Sequence, residues 1–119
     1  MNDASAEIFK RSILALGERA FRRLRLAKVA VIGVGGVGGW CAESLVRAGL
    51  GGIMIVDPDR VAPSNINRQN VATTETVGEL KVNVLEKRLL AINPGLEIDA
   101  RAKAYTAENA GEFDFSLCD

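Results

Sequence analysis

The chain has 119 residues, 48% of them hydrophobic and 25% charged, with 15 Lys/Arg against 15 Asp/Glu and no His. That is one domain or less of an ordinary globular mixture, and without His it excludes Ser-His-Asp and Cys-His mechanisms within this chain. Two Cys, Cys41 and Cys118, form neither a disulfide framework nor a zinc site. The apolar runs fall far short of the ~20 residues that span a bilayer. Residues 1–7 lack the basic and apolar regions of a secretory signal, so a cytoplasmic protein is expected.

Charge is uneven along the chain. Residues 1–47 carry eight Lys/Arg and four Asp/Glu, and residues 48–119 carry seven and eleven. The cluster Arg19, Arg22, Arg23, Arg25 and Lys28 reads as a solvated helix face, with RNA phosphates as the functional alternative.

From about Ala6 to Leu26 apolar residues recur at helical spacing, and Gly17 predicts a break. Lys28 to Gly33, K-V-A-V-I-G, reads as a strand buried on both faces. A glycine cluster and a helix over Trp40–Ala48 follow, then a second buried strand, Gly52–Asp57. This is a βαβ unit. After a loop from Pro58 to Ala72, Thr76 or a neighbouring Thr is expected to cap a helix striped by Val82, Leu85, Leu89 and Ile92. Leu96–Ala100 reads as a third strand, Thr106–Ala110 as a short helix, and Phe113–Cys118 as the start of a fourth strand. The fold class is therefore α/β. It comprises a Rossmann-like, mostly parallel sheet with N-terminal helices, read as the N-terminal half of a larger domain. Residues 1–27 are taken as a helical arm and 28–119 as the nucleotide-binding part.

Gly33, Gly35 and Gly38 satisfy G-x-G-x-x-G between a strand and a helix, where backbone N–H groups can meet a phosphate. Asp57, at the end of the second strand, is placed to accept hydrogen bonds from ribose hydroxyls. These features fit NAD and ATP equally. Downstream lie Asp59, then Ser64-Asn65-Ile66-Asn67-Arg68-Gln69, then Lys81. Such a polar loop suits a triphosphate better than a nicotinamide ring. Arg68 and Lys81 are cations suited to charge growing on a departing pyrophosphate. Cys41 is expected to be a buried small residue without chemistry.

The linked motifs V-A-V-I-G-V-G-G-V-G, I-V-D-P-D, S-N-I-N-R-Q, T-V-G-E-L-K-V and I-N-P resemble the ThiF-type, ubiquitin-activating-enzyme-like adenylyltransferases over residues 9–119. L-G-E-R-A-F, R-A-G-L-G and N-I-N-R-Q-N-V-A-T-T-E-T-V-G most resemble the bacterial tRNA threonylcarbamoyladenosine dehydratases. The resemblance implies a nucleotide site lined by Gly33, Gly35 and Gly36, with Asp57 on the ribose and Asp59 beside it. It places Asn65, Arg68, Gln69 and Lys81 at the ATP phosphates, and Arg11 reaching across a homodimer. Ile8 stands where an arginine is frequent. No metal ligand is assigned here, because the family's Mg²⁺-binding D-x-x-D stretch is expected beyond Asp119.

The function implied is ATP-dependent adenylation of a carboxylate, that of threonylcarbamoyladenosine in tRNA, followed by cyclisation with loss of water. The nearest alternative acceptor is the C-terminus of a sulfur-carrier or ubiquitin-like protein. From other classes, an NAD-binding oxidoreductase or a non-catalytic nucleotide-binding module remains open.

Overall fold

A computed structural model describes residues 2–119. Three short helices lead: α1 (Asp3–Ile8), α2 (Lys10–Leu16) and α3 (Glu18–Leu26). Asn2 caps α1, its side-chain oxygen accepting from the Ser5 N–H at 2.9 Å. The predicted break occurs at Gly17, whose φ of 79° no β-carbon-bearing residue takes up readily. The structure adds a second interruption at Phe9, which is buried against Phe21 with ring centroids 5.8 Å apart.

The body follows as β1 (Lys28–Ile32), α4 (Gly38–Ala48), β2 (Gly52–Val56), α5 (Lys81–Ile92) and β3 (Glu97–Arg101). The sheet order is β1-β2-β3 and both pairings are parallel, with Lys28 opposite Gly52 and Gly52 opposite Glu97. Every residue of the central strand β2 is buried, which is why its sequence is continuously apolar. The two-residue strand period then divides it between faces. Ile53 and Ile55 join Val31, Ala42, Val46, Val82, Leu85 and Leu89 in the core beneath α4 and α5. Met54 and Val56 face the other way, onto Phe113. No described helix is long and apolar enough to cross a membrane.

Several local expectations are corrected. Phe113–Cys118 is not a strand. The Asp114 carboxylate accepts from the Ser116 N–H at 2.9 Å, a side-chain turn that competes with extended backbone. Phe113 and Phe115 instead stack, 6.1 Å apart, over the second sheet face. Only Asp119, among the described residues, meets the free edge of β1, its N–H donating to the Lys28 carbonyl at 2.7 Å. The short helix expected at 106–110 is a 3₁₀ turn displaced to Ala110–Glu112. It is displaced because Asn109 turns back to accept from the Thr106 N–H at 2.8 Å. Thr76 does not cap α5. Its hydroxyl closes the 73–76 turn, and Leu80 precedes the helix without a side-chain cap. Cys41 is exposed rather than buried, because α4 turns Ala42, Glu43 and Val46 inward.

Candidate active site

The crevice begins where β1 ends. Gly33 adopts a φ of 88°, and a β-carbon on Gly38 would run into the Gly33 carbonyl oxygen. The turn into α4 therefore closes only with glycine at both points.

β2 delivers Asp57 beside this turn. Its Oδ2 accepts the Val34 N–H at 3.0 Å and its Oδ1 accepts the Asp59 N–H at 2.8 Å. The residue is 7% exposed. The carboxylate thus fastens the glycine turn and the 57–59 turn together, a role its ribose reading did not include, and each oxygen keeps a second lone pair.

Asn65 builds the next loop. Its Oδ1 accepts from the Ala62 N–H at 2.9 Å, and its carbonyl accepts from the Arg68 and Gln69 N–H groups. The side-chain stem of Arg68 lies over Gly36, with Cγ 3.5 Å from the position of an added β-carbon. One guanidinium nitrogen, Nη1, donates to Ser64 O at 3.0 Å and Asn67 Oδ1 at 2.9 Å, which orients the fork. Gln69 lies against Gly35 in the same way, Nε2 being 3.5 Å from that β-carbon position. Gln69 is 7% exposed, and its Oε1 is buried without a hydrogen-bond partner among the described residues. Such an acceptor beside a glycine turn is free to receive a hydrogen bond from a water or a polar ligand.

Lys81 opens α5, and its side chain is held inside the fold. It is 6% exposed, its N–H donates to the Asp59 carbonyl at 3.0 Å, and its Nζ lies 3.9 Å from Asp59 Oδ2. Asp59 thereby links Lys81 to Asp57. Segments far apart in sequence bring together the glycine turn, Asp57 and the guanidinium loop, and the buried amine joins them through Asp59. Arg11 is not among them: it lines an exposed groove with Glu7, Ile8, Lys10 and Leu14. The basic cluster is also split. Arg25 turns inward over the Phe9 ring at 5.4 Å and Arg22 pairs with Glu18 at 3.5 Å, while Arg19 and Arg23 stay exposed.

Three residues beside the crevice escaped sequence reasoning: Trp40, Glu43 and Asn70. The Trp40 indole N–H donates to the Arg68 carbonyl at 2.9 Å, and Asn70 Nδ2 donates to Glu43 Oε2 at 2.8 Å. Glu43 was detectable as the one acid on the buried face formed by Gly39, Ala42 and Val46.

Comparison with known proteins places the sequence and the fold in one family. The ThiF family model matches residues 9–117. The chain is 44% identical over 110 residues to the tRNA threonylcarbamoyladenosine dehydratase of Bacillus subtilis, covering 92% of this chain and 43% of that protein. It is also 44% identical over 97 residues to the sulfur carrier protein adenylyltransferase of Thermus thermophilus, covering 82% and 36%. Among solved structures, E. coli tRNA N6-threonylcarbamoyladenosine dehydratase in complex with ATP superposes with a TM-score of 0.91 at 35% identity. That match covers 93% of this chain and 46% of the other. The chain spans less than half the length of each of these relatives. With a family model matched along nearly its whole length, the chain belongs to the ThiF family.

Proposed function

We propose that this chain binds ATP at the glycine turn and serves adenylation of a carboxylate, that of threonylcarbamoyladenosine in tRNA. One observation carries the reading. Arg68 lies over Gly36 of the turn, and Lys81 pairs with Asp59, whose backbone N–H is held by the same Asp57 carboxylate that fastens the turn. The unpartnered Oε1 of Gln69 and the ATP complex of the E. coli relative support it.

In this reading the backbone around Gly33, Gly35 and Gly36 lines the nucleotide and Asp57 holds the ribose, with Asp59 setting the Lys81 amine. Asn65 and Gln69 shape the phosphate end. A carboxylate oxygen attacks the α-phosphorus of ATP, the α–β bridging bond breaks, and pyrophosphate leaves with the electron pair. Arg68 and Lys81 stabilise that charge, Arg68 through a planar fork and Lys81 as a point charge made stronger by burial. A nucleophile within the acceptor then attacks the acyl carbon of the adenylate and gives up its proton, the acyl C–O bond breaks, and AMP leaves with the electron pair, so the acceptor loses water overall. Arg11 acts from a second copy in a homodimer. Residues 1–27 serve as the arm and 28–119 as the ATP-binding part of a cytoplasmic protein. Mg²⁺, when bound, supplies further neutralisation of phosphate charge. Among the described residues no cluster of three or more His, Cys, Asp or Glu is placed to hold it.

The test is ATP binding by calorimetry followed by ATP–pyrophosphate exchange. Arg68→Ala and Lys81→Ala should each abolish exchange. Stabilisation by NAD and none by ATP would replace this reading with that of a dinucleotide-binding protein. The acceptor is decided by adding threonylcarbamoyladenosine-containing tRNA or a carrier protein. Binding of tRNA should weaken steeply with salt, and the relative from Thermus makes the carrier the alternative outcome.

A further inference from the structure

The segment bearing Arg68 and Gln69 is fastened to α4 on both sides. Before Gln69, the Trp40 indole N–H holds the Arg68 carbonyl at 2.9 Å. After it, Asn70 Nδ2 donates both to Gly39 O at 3.0 Å and to Glu43 Oε2 at 2.8 Å. Residues 40 and 43 are three apart and share one helix face, so the two tethers act from the same rigid surface. Gln69 lies between them; its Oε1, like the Oδ1 of Asn70, is buried without a partner among the described residues.

The second tether is anchored by charge. Glu43 is 4% exposed, yet its carboxylate is filled from behind. Arg88 donates through Nε at 2.6 Å and Nη2 at 3.1 Å, and Arg47 Nε donates at 3.0 Å. Burial by itself would raise the Glu43 pKa. The hydrogen bonds from Arg88, Asn70 and Arg47 outweigh burial and bring it down to about 2, so the group is always an acceptor at working pH. An apolar residue would fill this face of α4 more cheaply, since a buried ion pair is weak support for stability. What a fixed carboxylate adds is direction: it can receive only a donor, and Asn70 supplies one.

We propose that Glu43, together with Trp40, is a positioning residue that sets the pose of the 68–70 segment against Gly35 and Gly36, and thereby the grip of Arg68 and Gln69 on nucleotide phosphates. The proposal rests on the ATP reading above. Neither residue is assigned a contact with ATP. A displacement of about 1 Å in a positioning group is enough to cost on the order of a hundredfold in a reaction.

The experiment uses the 119-residue chain with Glu43→Gln and Trp40→Phe, the latter keeping the ring and removing a single hydrogen bond. Two measurements are made: the rate of tryptic cleavage after Arg68 in the folded protein, and the affinities for ATP and for adenosine. Faster cleavage at Arg68 is expected in both variants. ATP affinity should fall roughly three- to tenfold, the scale of one hydrogen bond, with adenosine affinity unchanged, because the segment faces phosphates alone. Unchanged cleavage in both variants would show that the tethers do not hold the segment, and would overturn the proposal whatever the nucleotides do. Faster cleavage with wild-type ATP affinity would overturn it too, as would equal losses for ATP and adenosine, which a merely structural role produces. A wild-type chain with no affinity for ATP overturns the adenylation reading itself, an outcome distinct from a failure confined to the variants.

Discussion

Asp57 Oδ2 accepts the backbone N–H of Val34 at 3.0 Å, joining the end of β2 to the glycine turn after β1 across 23 residues of sequence. The same carboxylate closes its own turn through the Asp59 N–H. One buried side chain thus sets both the shape of the turn and the approach of the segment that carries Asp59 toward Lys81.

Asp57→Asn should therefore cost more than a lost ligand contact. The amide keeps one acceptor but points an NH₂ group at a backbone N–H, leaving a buried donor unsatisfied at about 1–3 kcal/mol. Urea unfolding should show a lower midpoint with an unchanged slope, and ATP affinity should fall alongside.

Lys81→Met should separate function from stability. The Lys81 amine is buried, while its partner Asp59 is 66% exposed and 3.9 Å away, a poor return for desolvating a cation. The apolar replacement is expected to leave stability within about 1 kcal/mol of wild type or to raise it. ATP affinity should drop more than about tenfold, roughly the 1.4 kcal/mol that losing one charged contact removes. Unfolding and calorimetry on the same sample check both.

Gly38→Ala tests the turn. Alanine favours a helix by about 1 kcal/mol, but its β-carbon would collide with the Gly33 carbonyl, which is backbone and cannot step aside. Net destabilisation of about 1–3 kcal/mol is expected, read as a lower urea midpoint, with nucleotide binding lost in step.

Acid should reveal Glu43. Its pKa is depressed in the folded chain, from an ordinary 4.5 to about 2. The stability it contributes is fully present above pH 4.5 and is lost as pH falls from there through about 2. The loss is on the order of 3 kcal/mol. Glu43→Gln should flatten that portion of the stability–pH curve, measured by urea unfolding between neutral and strongly acid pH.

Much of the architecture was legible because its causes are local. The continuous apolar run at Ile53–Val56 reports a strand buried on both faces, and the glycines before it allow one kind of turn. The similar run at Val29–Ile32 overstated burial: β1 is an edge strand, mostly half-buried, and its Ile32 is exposed, because no strand among the described residues pairs with its outer side. The alternation Phe113, Asp114, Phe115, Ser116 misled because its period fits a strand, whereas the Asp114–Ser116 turn and the aromatic stack over Met54 and Val56 fix another path. Thr76 misled for a related reason, since a threonine serves a turn as readily as a helix cap, and here the 73–76 turn takes its hydroxyl.

The sequence by itself determined the βαβ skeleton, the glycine turn and the residue types gathered around it, since backbone conformation and hydrophobic period act over a few neighbours. Only tertiary structure decided that Lys81 is buried beside Asp59, that Asp57 also braces the Val34 N–H, and that Glu43 gathers Arg88 and Asn70 from 45 and 27 residues away. Those pairings depend on where α4, α5 and the 64–70 loop come to rest on the sheet. Docking is set by the shape of the shared core, which no short stretch of sequence contains.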